Sequence, residues 1–202
     1  MLISRDGNGP TPRPGAAAAV ALALAVAGCS ADYVETSRAP VLLVVEAVNG
    51  GAPVLSDVRG SGDNETTVVN CQTEVDVSVR AKNPNQATSP VEDVRITRYD
   101  IVWRRSDGRG VEGVDVPYRT SGNITITVEA DGDAQFPIDL VRHQAKLVPP
   151  LSNITGLQVV TMFADVTLTG AVISGQAVSG QGTVQVTFAD YGTGTSTCES
   201  GT

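Results

Sequence analysis

The stretch "VRITRYDIVWRR", Val94 to Arg105, changes phase in its middle, and that change decides the fold. Val94 and Ile96 fall on one parity, whereas Tyr99, Ile101 and Trp103 fall on the other. Successive side chains of a strand point to opposite faces, so a regular strand here would leave one apolar set in water. A β-bulge near Arg98 adds one residue and returns both sets to one face. The segment is therefore predicted to be a long bulged strand with Trp103 in the core or against the sheet.

The same period of two extends outward along the chain. Val75, Val77, Val79 and Ala81 alternate with Asp76, Ser78 and Arg80, Ile124, Ile126 and Val128 alternate with Thr125 and Thr127, and Val184, Val186 and Phe188 alternate with Gln185 and Thr187. Phe136, Ile138 and Leu140, and Ala164, Val166 and Leu168, repeat the pattern, while Pro40 to Val48 is a continuous apolar run suited to burial on both faces. Between these runs lie "NGGAP", "RGSGDNE", "KNPNQATSP", "RRSDGRG", "ADGD" and "SGQAVSGQG", all of turn or loop composition. Only Leu140 to Leu147 approaches helical spacing. The expectation is an all-β chain: an antiparallel β-sandwich of about seven to nine strands, immunoglobulin-like in broad architecture. The Cys, Trp and Tyr spacings do not match a true immunoglobulin domain. Twenty-two acidic against fourteen basic residues give a net charge of −8, which argues against nucleic acid as a partner.

At the N-terminus Arg5 and Arg13 precede an unbroken run of Gly, Ala, Val and Leu from Gly15 to Gly28, the layout of an export signal and too short to span a bilayer comfortably. The run ends in Val26-Ala27-Gly28-Cys29, which resembles the lipobox of bacterial lipoproteins. That resemblance implies cleavage before Cys29, a diacylglycerol on its sulfur and stable membrane anchoring. Ser30 in place of an aspartate implies, by the same family's sorting rule, an outer-membrane destination in the cell envelope. The resulting organisation is a signal peptide over 1–28, a lipidated tether over 29–39 and one β-sandwich domain over 40–202. With Cys29 lipidated, Cys71 and Cys198 remain, and an even pair in an oxidising compartment reads as a disulfide, two separate thiols being the alternative.

The segment "VDVSVRAKNPN", Val75 to Asn85, with the strand at Tyr99 and "ADVTLTG" at Ala164 to Gly170, resembles the water-stress and hypersensitive-response domain of late-embryogenesis-type proteins. That family implies a small β-sandwich whose strand ends in Asn-Pro-Asn, here Asn83-Pro84-Asn85, and it supplies no catalytic residue. "RYDIVWRRSDGR" and "GVDVPY" also resemble segments of uncharacterised bacterial lipoproteins.

No nucleophile elbow, zinc-protease helix, phosphate loop or dinucleotide fingerprint occurs, and no cofactor is implied. His143, the single histidine, reads as a surface or structural residue, and a metal site is not expected. Asp131 with Asp133, and Asp63 with Glu65, fall in turns where Asp bonds its own backbone, although such acidic turns could also hold Ca²⁺ or serve a carboxylate hydrolase. Arg104, Arg105 and Arg109 concentrate positive charge in an acidic chain, giving either a partner-binding loop or a hairpin turn whose arginines pair with nearby acids. The functional expectation is a non-enzymatic binding or structural module of the envelope, reaching the membrane through Cys29 and contacting an envelope protein or polysaccharide. A carbohydrate-binding module is the alternative, needing exposed aromatics that this chain has in short supply.

Overall fold

The computed structural model describes residues 38–59, 70–191 and 198–200. The predicted signal peptide, Cys29, most of the tether and the Asp63–Glu65 pair lie outside them. Nine strands are present among the described residues: β1 (Val41–Val48), β2 (Val54–Asp57), β3 (Cys71–Ala81), β4 (Val94–Arg105), β5 (Thr120–Val128), β6 (Asp133–Val141), β7 (Val159–Val172), β8 (Ala177–Ala189) and β9 (Cys198–Ser200). One sheet has the order β1-β3-β6 and the other β5-β4-β7-β8-β2-β9. The sandwich is all-β, as expected. Its pairings are antiparallel with one exception, β2 running parallel to β8.

The phase change in β4 is a bulge. Pairing with both neighbours shifts register between Ile96 and Arg98: against β7 Thr97 is the extra residue, whereas against β5 the same step faces three residues, Ile126 to Asn123. On either side of it Val94, Ile96, Tyr99, Ile101 and Trp103 are all buried. They meet Val75, Val77 and Val79 of β3, Phe136 and Ile138 of β6, and the inward residues of β7 and β8 in one hydrophobic core. The Trp103 ring lies against Phe188 with centroids 5.6 Å apart and planes tilted by 58°.

Two expectations are corrected. Val41–Val48 is not covered on both faces: β1 is an outermost strand, Leu42 is exposed, and only Val41, Leu43 and Val48 are buried in it. The stretch "SGQAVSGQG" is not all loop, since only its first residues turn and β8 begins at Ala177. Gly175 serves that turn at φ +101°, whereas Gly180 and Gly182 serve packing. A Cβ on Gly180 would stand 2.8 Å from the Leu43 carbonyl oxygen, and one on Gly182 2.5 Å from a Val45 methyl, so β1 rests on bare β8 backbone. Gly180→Ala gains about 0.4–1 kcal/mol from the unfolded chain but meets immovable backbone. Overpacking costs about 1–3 kcal/mol, so a net loss of stability is expected in denaturant melts. Ala39 is also buried, so the folded body reaches into the predicted tether.

The strand registers define two ends. Short turns join β5 to β6 and β7 to β8 at the end where β1 starts, here called the near end. The far end gathers the last residues of β2, β4, β6 and β8, the first of β3, β5 and β7, and the long 106–119 and 142–158 connections.

Candidate functional site

β5 and β6 are outermost strands of different sheets and do not pair with each other. The Glu129–Gly132 turn holds them together at the near end, where the Gly132 amide donates to the Glu129 carbonyl (2.9 Å). Between them the sandwich is unsealed, and at the far end this seam opens into a cavity of about 630 Å³ lined by Asn70, Tyr118, Thr120, Asp139, Arg142 and Gln144, with Ala145 and Val148. Three of the polar wall residues are held by hydrogen bonds. Asn70 Oδ1 accepts the His143 amide at 2.9 Å, fixing the start of the short helix α1 (His143–Lys146). Arg142 reaches across the seam and donates to the Ser121 carbonyl, an edge acceptor that β5 would otherwise leave to water. Asp139 Oδ1 accepts from Gln72 at 2.8 Å. Thr120 Oγ1 is buried with no hydrogen-bond partner among the described residues.

Tyr118 is the exposed aromatic of this wall, whereas Tyr99, Trp103, Phe136 and Phe188 are buried. Its position is set by Gly113, in the left-handed region at φ +74°, where a Cβ would fall 2.4 Å from the Tyr118 hydroxyl. The 106–119 connection is braced by Arg119 and Glu112, 3.0 Å apart, and by buried Val116. Two smaller cavities share the far end, about 410 Å³ beside Arg105, Val114 and Ile154 and about 240 Å³ beside Arg59, Lys146 and Leu151. Among the described residues, seven of the eleven exposed large apolar side chains lie here: Val111, Val114 and Tyr118 on one connection, and Leu147, Val148, Leu157 and Val159 on or beside the other.

The three arginines expected as a basic loop occupy two settings. Arg104 and Arg105 belong to β4 itself. Arg104 sits on the solvent face, 2.8 Å from Asp165 and 4.7 Å from the centre of the Phe163 ring. Partial burial works to raise the Asp165 pKa, but hydrogen bonds from Arg104 and Thr183 hold it below the ordinary value. Arg105 is 3.4 Å from Asp107, and Arg109 is 2.7 Å from Asp107 and 3.8 Å from Asp115. The side-chain hydrogen bond from Arg109 lowers the Asp107 pKa. The arginines thus carry their counter-charges with them, in the turn that Gly108 closes at φ +80°. Arg109→Ser is expected to leave the thermal melt nearly unchanged, because the Arg109–Asp107 pair is screened by solvent.

Asp131 and Asp133 are engaged structurally. Asp131, at φ +59°, accepts the Ala81 amide at 2.8 Å, and Asp133 pairs with Arg80 at 2.7 Å. His143 opens α1.

A buried polar cluster escaped the sequence reading. Lys146 and Asp57 are 2 % and 1 % exposed, and Asp57 Oδ2 and Ser56 Oγ have no hydrogen-bond partner among the described residues. Burial lowers the Lys146 pKa to about 8 against the opposing pull of Asp57. Burial, then Asp57, raises that of Tyr191. The signal available in the sequence was the scarcity of lysine, Lys82 and Lys146 alone.

No family model and no curated protein matches the sequence. The structure is similar to the solution structure of a protein assigned to the late embryogenesis abundant (LEA) class, at 16% identity over 85% of this chain and 84% of that one, with a TM-score of 0.37. It is also similar to the periplasmic chaperone SfaE, at 10% identity over 74% of this chain and 59% of that one, with a TM-score of 0.29. The first of these belongs to the class that the segment ending in Asn83-Pro84-Asn85 resembles.

Proposed function

We propose that this chain is a non-enzymatic binding module of the bacterial cell envelope, anchored through a lipidated Cys29 and engaging its partner with the far end of its sandwich. The observation that carries the reading is the polarity of the sandwich. The described chain enters at the near end, through Arg38 and Ala39 into β1, while the far end holds the 630 Å³ cavity and, among the described residues, seven of eleven exposed large apolar side chains. Clustered exposed apolar surface marks an interaction site, whereas scattered single residues do not. The 104–113 segment takes part in this end through Val111 and Val114 rather than through its compensated arginines. Ser30 after the lipobox favours the outer membrane.

The Cys71–Cys198 disulfide belongs to the same proposal. Cys71 is buried at the head of β3, and Cys198 opens β9 opposite Ser56, so the fold carries both cysteines to the far end. Its loss is expected to cost about 2–5 kcal/mol. Mass spectrometry of a non-reduced digest should find the linked peptides, and two freely alkylated cysteines would count against the pairing.

Metabolic labelling with a clickable fatty acid tests the anchor. Wild type should incorporate label and fractionate with outer membrane, and Cys29→Ser should do neither while keeping its far-ultraviolet spectrum. Equal labelling of the two would remove the lipoprotein reading.

A further inference from the structure

We propose that the 630 Å³ cavity between β5 and β6 binds a neutral saccharide chain, with Tyr118 as the stacking platform and Asn70, Asp139, Arg142 and Gln144 as partners of its hydroxyl groups. The inference rests on the reading of the chain as a binding module and names a ligand class for its principal cavity.

Four observations carry it. The size lies within the range of ligand pockets, about 300–1,000 Å³, and suits a short run of sugar rings. The exposed aromatic is already in place: the close approach of Gly113 to the Tyr118 hydroxyl seats the ring, so little freedom is lost on stacking. The polar wall offers two amides, one carboxylate and one guanidinium, groups that supply paired donors and acceptors of the kind vicinal hydroxyls require. Some of that capacity is already spent, on His143 by Asn70 Oδ1, on Gln72 by Asp139 Oδ1 and on Ser121 by Arg142. One acid and one base in the wall favour a neutral ligand over an anionic or a cationic one.

The geometry also disfavours addition of a peptide strand to the β5 edge at this point, because Arg142 already occupies the Ser121 carbonyl that such a strand would need. Ala145 and Val148 provide apolar surface for sugar C–H faces.

The test uses the purified exported protein on an array of neutral glycans, followed by calorimetry with cellohexaose, maltohexaose, chitohexaose and xylohexaose. At least one series should bind with Kd on the order of 10 μM to 1 mM, the range of weak specific recognition. Tyr118→Ala and Asp139→Asn should each weaken that binding about tenfold or more, equivalent to about 1.4 kcal/mol, with unchanged melting temperature. Arg109→Ser, outside the cavity, should leave it intact. Absence of binding on the array and to all four oligosaccharides at millimolar concentration would overturn the inference, as would binding that survives Tyr118→Ala. Photo-crosslinking from Leu157 reads the module proposal separately, so a protein partner captured there alongside a negative glycan result would sink the saccharide and spare the module.

Discussion

Trp103→Ala is expected to destabilise the sandwich by about 3–5 kcal/mol, the range for removing a large aromatic from a core that cannot collapse around the gap. Trp103 is 4 % exposed, packs on Phe188 and pairs with Ala164 of β7, two residues past the point where β5 also flanks the strand, so backbone relaxation is restricted. Its neighbour Val102 points the other way and is 46 % exposed. Val102→Ala is therefore expected to change stability by less than about 1 kcal/mol. Urea melts followed by circular dichroism compare the two. Similar costs at both positions would mean that the bulge does not set the phase of β4, and the burial of Tyr99 and Ile101 would need another explanation.

Raising the pH from 8 towards 10 is expected to stabilise the fold through Lys146. In the folded chain burial holds this ammonium at about 8, below the 10.5 of an unperturbed lysine. Between those values the unfolded chain binds more protons than the folded one, so stability rises with pH. The contribution is complete above the unfolded pKa and is lost as the pH falls through the folded one. Over pH 8 to 10 the gain is about 2 kcal/mol. Tyr191 acts in the opposite sense, because a raised phenol pKa makes the fold lose stability above about pH 10, which bounds the useful window. Lys146→Met removes the titration. The wild type, measured against this variant by urea melts at successive pH values, should gain about 2 kcal/mol across the window. Parallel profiles would show that the Lys146 ammonium is not depressed by burial.

Strand content was readable wherever a single face is buried, because period two in Val75–Ala81, Val184–Phe188 and Phe136–Leu140 follows directly from the pleat. Even the bulge was readable, since Val94–Ile96 and Tyr99–Trp103 could share a face in no other way. What misled was composition taken without context. Gly180 and Gly182 look like turn residues, but their role is to admit β1 against β8, a contact between segments more than a hundred residues apart that no local pattern records. The continuous apolar run of β1 looked doubly buried for a similar reason: hydrophobicity alone does not say which strand lies outermost.

The site was far less legible than the fold. Asn70, Tyr118 and the Asp139–Arg142 pair come from three separate segments and have no motif in common; they meet because β5 and β6 end two different sheets at the same place. The arginine-rich segment was conspicuous, yet Asp107, Asp115 and Asp165 neutralise it locally. Lys146 and Asp57 were invisible for the opposite reason, each unremarkable in its own stretch and unusual only once both are buried.

The central claim is that the far end of the sandwich, and not the near end, meets the partner. Photo-crosslinking amino acids placed singly at Val114 and Leu157 on the far end, and at Val91 and Ile173 on the near end, test it in intact cells, since all four side chains are exposed. The account predicts specific crosslinked products from Val114 and Leu157 and none from Val91 or Ile173; products from the near-end positions alone, or equally from both ends, would contradict it.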